Sequence, residues 1–373
     1  MNRHREWIDW LLRTQESAEE SIEVIDRPSA RHPRVYPPFQ PVPPVQQLWD
    51  NVPEQISQSY IEAGSPTLST STQSSTQTFT SNSSDTGASG HWASAVLDRR
   101  PPENRFHNVG GATRCFGNPE RGLIDKLHQH KFLEVAKFRF RAHGVTARFY
   151  WRPADHRTRL LVSTTDQLDM EVRFCVHLTE LKAVRQGNLL LLFRRDFGVD
   201  RSRGPLTIWA ELSFDTYERL VLFYCIFAGM KTQDWKSYPA ILRDWYYKPQ
   251  DVEPQDEVQL FSAPIEDEGH SNFLRVYFDS DSGGSRLEAR PRRGPMKSTP
   301  TWTAFITDQV HDGRWITRIG LRQVLLDGLR KYIFYNGYPQ PRSRNEETVL
   351  TFRDSGDAES FMALIGTLHH YQP

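Results

Sequence analysis

Two stretches of this chain alternate apolar and polar residues with a period of two and then switch to a helical period. In the first, Phe138, Phe140 and Ala142 alternate with Lys137, Arg139 and Arg141, and similar runs follow at 145–151, 159–164, 168–177, 178–184, 188–195 and 206–212. Gly144, Pro153, Gly187 and Gly204-Pro205 separate them, as turns separate short half-buried strands. FDTYERLVLFYCIFAGMK then carries Tyr217, Leu220, Val221, Tyr224, Phe227 and Ala228 on one broad face, so the spacing predicts an amphipathic helix over Ser213–Lys231. Asp215 and Glu218 have the spacing of a capping box, and Gly229 argues against much extension beyond it.

The second stretch repeats this logic with strands at 258–263, 273–279, 285–290, 301–310, 314–320, 322–327, 331–336 and 348–353. DSGDAESFMALIGTLHH closes it, with Phe361, Leu364, Ile365 and Leu368 on one face. Before the first strand run, Pro119 marks a helix start, and Leu123, Leu127, Phe132 and Val135 extend it at helical intervals. The expected organisation is a short amphipathic helix at 1–24, a disordered Pro-rich and Ser/Thr-rich tail at 25–105, a first domain with its leading helix at 106–231, an aromatic-rich linker at 232–257 and a second domain at 258–373. The linker's Trp235, Tyr238, Trp245, Tyr246 and Tyr247 either join the domains or form a partner site.

Lys plus Arg and Asp plus Glu each total 46 in the 373 residues, so there is no chain-wide basic footprint and nucleic acid is disfavoured as a partner. Cys115, Cys175 and Cys225 lack the paired spacing of a zinc or redox motif. They suit an intracellular protein, cytoplasmic or nuclear. Neither a secretory signal nor a transmembrane segment is expected, since the longest apolar run, Leu220–Met230, is shorter than the roughly 20 residues that span a bilayer.

No phosphate-binding glycine loop, G-x-S-x-G or H-E-x-x-H occurs, so no enzyme activity, metal or cofactor is expected. Cys175 and His177 share a strand face, which alone does not make a nucleophile and its base. Binding candidates are more numerous. Lys137, Arg139 and Arg141 share a strand face with Arg148 across a hairpin, an arrangement suited to anions such as lipid head groups. Arg194, Arg195, Arg201 and Arg203 gather in one basic loop, and Arg292 and Arg293 in another that also draws on Arg286, Arg290 and Lys297. Trp7, Ile8, Leu11 and Leu12 could dock in a partner's groove, and the Pro-rich stretch could serve as a ligand for other proteins.

Strand runs that end in one amphipathic helix resemble the pleckstrin-homology (PH-like) superfold. KFRFRAHGVTARFYWRP with WAELSFDTYERLVLFYCIFAGMKTQD also resembles proteins of filamentous fungi that pair such domains behind a disordered N-terminus. The resemblance implies a mainly β fold with α: two seven-stranded antiparallel barrels, each capped by a C-terminal helix. It further implies two binding modes, phosphoinositide head groups held near the first strands, or a peptide added to a sheet edge beside the closing helix. In the second domain the loop after the first strand, DSDSGGS or PIEDEGHSN, is acidic and would repel phosphate. The expected function is therefore a non-enzymatic adaptor for protein or peptide partners at sheet edges beside Ser213–Lys231 or Asp354–His370. The alternative is a peripheral protein that binds anionic lipid through the basic face of the first domain.

Overall fold

The computed structural model describes residues 90–97, 101–107, 109–140, 144–165, 170–195, 206–237, 257–293, 299–307, 315–338 and 347–368. The expected helix with Trp7, Ile8, Leu11 and Leu12 lies outside them, as do Arg141, Arg201, Arg203, Tyr238, Trp245, Tyr246, Tyr247 and the side chains of Arg195 and Trp235.

In the first domain the period-two runs become β2 (Leu133–Arg139), β3 (Thr146–Trp151), β4 (Thr158–Thr165), β5 (Glu171–His177), β6 (Leu181–Gln186), β7 (Leu189–Arg195) and β8 (Leu206–Ser213). An eighth strand, β1 (Arg114–Cys115), pairs with Glu211 and Ala210 of β8; two residues are too short a run for alternation to reveal. The strands form two antiparallel sheets, β2-β3-β4-β5 and β1-β8-β7-β6. The leading helix is shorter than its spacing suggests. It is α2 (Leu123–Gln129), ended by Lys131 at positive φ, while Phe132 precedes β2 and Val135 lies within it. Leu123, Leu127 and Phe132 still share a small core with Tyr150 and Leu161, which explains their regular recurrence.

Part of the segment expected to be disordered is folded. Trp92–Val96 forms a short helix, α1, with Trp92, Ala93 and Val96 buried in the main core. One indole on a single turn leaves no periodic trace in a Ser/Thr-rich sequence.

The closing helix α3 runs over Tyr217–Ser237, well past Gly229. Every residue from Leu220 to Thr232 is buried, so this is a helix apolar on all sides and not one with a solvent face. Gly229 is there for contact: a Cβ on it would lie 2.9 Å from the Trp92 ring. Nor does Glu218 close a capping box. Its carboxylate accepts the amide of Asn104 at 2.9 and 3.0 Å, because residues 104–106 run across the N-terminus of α3.

The second domain is one eight-stranded antiparallel sheet in the order β13-β14-β16-β9-β10-β11-β12-β15. Its strands are β9 (Glu257–Asp267), β10 (His270–Asp279), β11 (Ser285–Pro291), β12 (Trp302–Ile306), β13 (Ile316–Arg318), β14 (Gln323–Leu326), β15 (Tyr332–Ile333) and β16 (Thr348–Phe352). The helix α4 (Ser355–Leu368) buries Ala358, Phe361, Ile365 and Leu368 against that sheet's core. β9 and β10 meet at a tight Glu268-Gly269 turn, so most of the acidic loop expected there is strand.

The two domains share a core. Phe305, Tyr332 and Phe334 of the second pack in the same cluster as α3 and the sheets of the first. The side of α3 that leaves its own barrel is covered by β10–β12, whose facing side chains are largely charged. Arg286 forms a bidentate pair with Glu257 at 2.7 and 2.8 Å and reaches Glu288 at 2.5 Å, and Arg290 pairs with the same Glu288. Tyr217 of α3 donates its hydroxyl to Glu257. Burial pushes the Glu288 carboxyl up, but the two arginines outweigh that and hold it at about 2.

Candidate functional site

Three surfaces carry the binding chemistry. On the outer side of the first sheet, Lys137 stands opposite Arg148 in register, and Arg139 lies in a cross-strand row with Thr146, Ser163 and Arg173. Lys137 and Arg139 are exposed. Arg148 lies 3.9 Å from Glu134, while Arg173 is engaged by Glu171 at 2.5 Å. That hydrogen bond is the main reason the Glu171 carboxyl sits below its ordinary range. The sequence reading missed Arg173; its place two residues before Cys175, on the same face, was the available signal. The structure thus brings Lys137, Arg139 and Arg148 together, with Arg173 beside them and two carboxylates between.

The other basic candidates separate. Arg194 is paired with Glu180 at 2.8 Å. Arg286 and Arg290, grouped with the basic loop although the expected strand at 285–290 contains them, are buried on β11 at the domain joint, where Glu257 and Glu288 meet them. Arg292 lies over the Phe273 ring. Arg293 lines a cleft of about 200 Å³ with His270, Asn272, Thr301 and Tyr335. Asn272 is 1% exposed and, among the described residues, its amide nitrogen has no hydrogen-bond partner. An acceptor group in this cleft would meet that nitrogen and the Arg293 guanidinium.

Asp279, expected to repel phosphate from a solvent loop, is instead fully buried against Arg185 of the first domain at 2.5 Å. The loop is held there by close approach: a Cβ on Gly284 would lie 2.6 Å from the Tyr217 ring.

The sheet edges differ between the domains. In the first, the edge strand β6 is contacted from within the chain: Lys231 of α3 donates to the Leu181 carbonyl at 2.8 Å and the Arg185 side chain is held by Asp279. One carbonyl of that edge is thus occupied within the chain. In the second domain, β13 ends the sheet, and no strand lies on its outer side among the described residues. Backbone bonds from Ile319 to Gln323 and from Asp327 to Trp315 make the odd-numbered residues the bonded pairs. The amides of Ile316 and Arg318 consequently point away from β14.

Burial pushes the Cys175 thiol up and holds the His177 imidazole well below its ordinary value. Among the described residues no three His, Cys, Asp or Glu side chains are grouped to hold a metal, and no helix is long and apolar enough to cross a membrane.

Two sheet-rich domains, each ended by a helix, define a pair of PH domains. Residues 121–248 match the family described as "PH domain found in tandem in fungal proteins", and residues 258–370 match a companion family of the same description. The chain belongs to these fungal tandem PH-domain proteins. Domains of this kind are generally binding modules for proteins or lipids. No curated protein matches the chain.

Proposed function

We infer that the protein is a non-enzymatic adaptor whose second PH domain takes an extended partner segment along β13. The observation that carries this reading is the β13 edge itself, which presents the outward amides of Ile316 and Arg318 with no strand beyond it among the described residues. Ile316 on β13 is partly buried against the second domain's core, so apolar surface remains at that edge for a side chain of a bound strand.

The test is a peptide-display selection on the full chain. Selected peptides should protect β13 amides from hydrogen exchange and should bind Ile316→Pro at least tenfold more weakly, with Ile316→Val as the packing control. Peptides that bind Ile316→Pro as tightly as the parent would overturn the reading.

A second reading, anionic lipid on the first domain, is favoured by the in-register pair Lys137 and Arg148 with exposed Arg139 alongside. It predicts salt-sensitive vesicle binding that is lost in Lys137→Glu/Arg139→Glu.

A further inference from the structure

The helix α1 has only five residues, and so short a helix does not hold its shape alone in water. It is ordered by what it touches, and it touches both domains. From the first domain, Trp151 of β3 lies 4.6 Å from the His91 ring between centres, Gln233 of α3 is 3.2 Å from His91 Nε2, and Gly229 leaves room for the Trp92 ring. From the second, Phe334 meets that ring edge-on and the Asn336 Oδ1 accepts the Trp92 amide at 3.2 Å. Phe334 and Asn336 directly follow β15, the edge of the second sheet opposite to β13.

This socket accepts a short sequence pattern. His91 caps the turn, its Nδ1 accepting the Ala93 amide at 3.2 Å. Trp92 fills the space over Gly229, Ala93 is wholly buried, and Val96 is buried four residues after Trp92. Ala95 is exposed and Ser94 half-buried. The matching segment therefore has a capping residue, a large aromatic, a small residue, two freer positions and an aliphatic residue. That is helix-in-groove recognition in a very short form, with anchors at i, i+1 and i+4.

The segment in place fits incompletely. The Trp92 indole N–H is buried and, among the described residues, has no hydrogen-bond partner. A buried donor left unpaired weakens the docked state. The backbone of α1 is tied to the rest of the protein by the Asn336 side chain and joins no sheet among the described residues, so undocking it breaks no strand pairing.

We propose that the joint between the two PH domains is an exchangeable recognition site for a one-turn, aromatic-anchored helix, filled in cis by His91–Val96 and in trans by a partner protein segment of the same pattern. Because its walls come from both domains, the site exists only where they are joined. It is separate from the β13 edge and from the basic face of the first domain, and it does not depend on either.

The experiment is an anisotropy titration of a labelled peptide of residues 88–98 with the full chain. Trp92→Ala, which empties the socket, should bind the peptide at least tenfold more tightly than the parent, whose own segment competes at high effective concentration. Ala93→Asp, which places charge on the buried face of α1 and leaves the socket walls intact, should behave in the same way. The peptide should also raise the thermal midpoint of both variants. A peptide carrying Trp92→Ala should bind at least tenfold more weakly, and Trp92→Ala/Gly229→Leu, with leucine in the place of the indole, should lose the unmodified peptide. Absence of both binding and a rise in midpoint would make α1 a permanent part of the core and overturn the proposal. So would equal affinity for the parent and the two variants, or undiminished binding by Trp92→Ala/Gly229→Leu, since the peptide would then sit elsewhere.

Discussion

Arg185 on β6 and Asp279 at the end of β10 meet at 2.5 Å with side chains 1% and 0% exposed, so an ion pair deep in the protein ties one PH domain to the other. Removing a single partner strands the remaining charge away from water, a loss of about 3–5 kcal/mol. Asp279→Ala should therefore unfold at markedly lower denaturant. Arg185→Met/Asp279→Leu should recover much of the loss, because an apolar pair of similar volume avoids desolvating charge. Denaturation followed by tryptophan fluorescence and by far-UV circular dichroism gives the comparison, and a double variant as unstable as the single one would contradict it.

His91 makes the docking of α1 sensitive to acid. Its Nδ1 accepts the Ala93 amide, its Nε2 lies 3.2 Å from Gln233, and burial lowers its pKa to about 4. The folded state holds the ring neutral while the unfolded chain takes up a proton below about pH 6.5. The stabilisation is complete above that value and is lost as pH falls toward 4, by about 3 kcal/mol in all. The protection factors of the 92–97 amides, corrected for the intrinsic pH dependence of exchange, should fall between pH 6.5 and 4, and His91→Asn should weaken that dependence.

Glu218 works in the opposite direction. Burial raises its pKa to about 8 against the lowering effect of the backbone amides it accepts, including that of Asn104. The folded protein therefore binds a proton that the unfolded chain gives up above about pH 4.5. The associated stability is present in acid and declines as pH rises to 8. Glu218→Gln should flatten the thermal midpoint between pH 5 and 8 and leave the protein at least as stable at pH 8. A steeper dependence in the variant would rule this out.

At Gly229 propensity and packing oppose each other. Alanine would favour the helix by about 1 kcal/mol. Its methyl would strike the Trp92 ring, which is also in edge contact with Phe334 at 5.9 Å between ring centres. Overpacking of this kind costs about 1–3 kcal/mol, so Gly229→Ala should be less stable than the parent. In a Trp92→Ala background the same change should be neutral or stabilising. Additive effects in the double variant would mean that the two residues do not share one space.

The strand spacing and the two closing helices were legible in the sequence because period-two and helical patterns are local properties. What resisted reading was set by residues distant along the chain. Gly229 looked like a helix end because its reason for being glycine is Trp92, in a segment with the composition of a loose tail. Arg286, Glu288 and Arg290 fell in an expected strand but were grouped with a solvated basic cluster because charge is usually exposed, and only the pairing of β10 with β9 and β11 shows how they neutralise each other. Asp279 looked like a repellent for phosphate until Arg185 was found beside it. In the binding surfaces, Lys137, Arg139 and Arg148 could be grouped from one hairpin, but Arg173 required the register of two further strands.

The burial of α3 on every side also bears on valency. Since Phe305, Tyr332 and Phe334 of the second domain share one core with α3, the spacing between a ligand site on the first and a ligand site on the second is built in and is not set by the reach of a linker. A ligand with two determinants would be selected by the distance between them. Lengthening the 238–256 connection should then leave two-point affinity nearly unchanged, in contrast to tethered modules, where effective concentration falls as the tether grows.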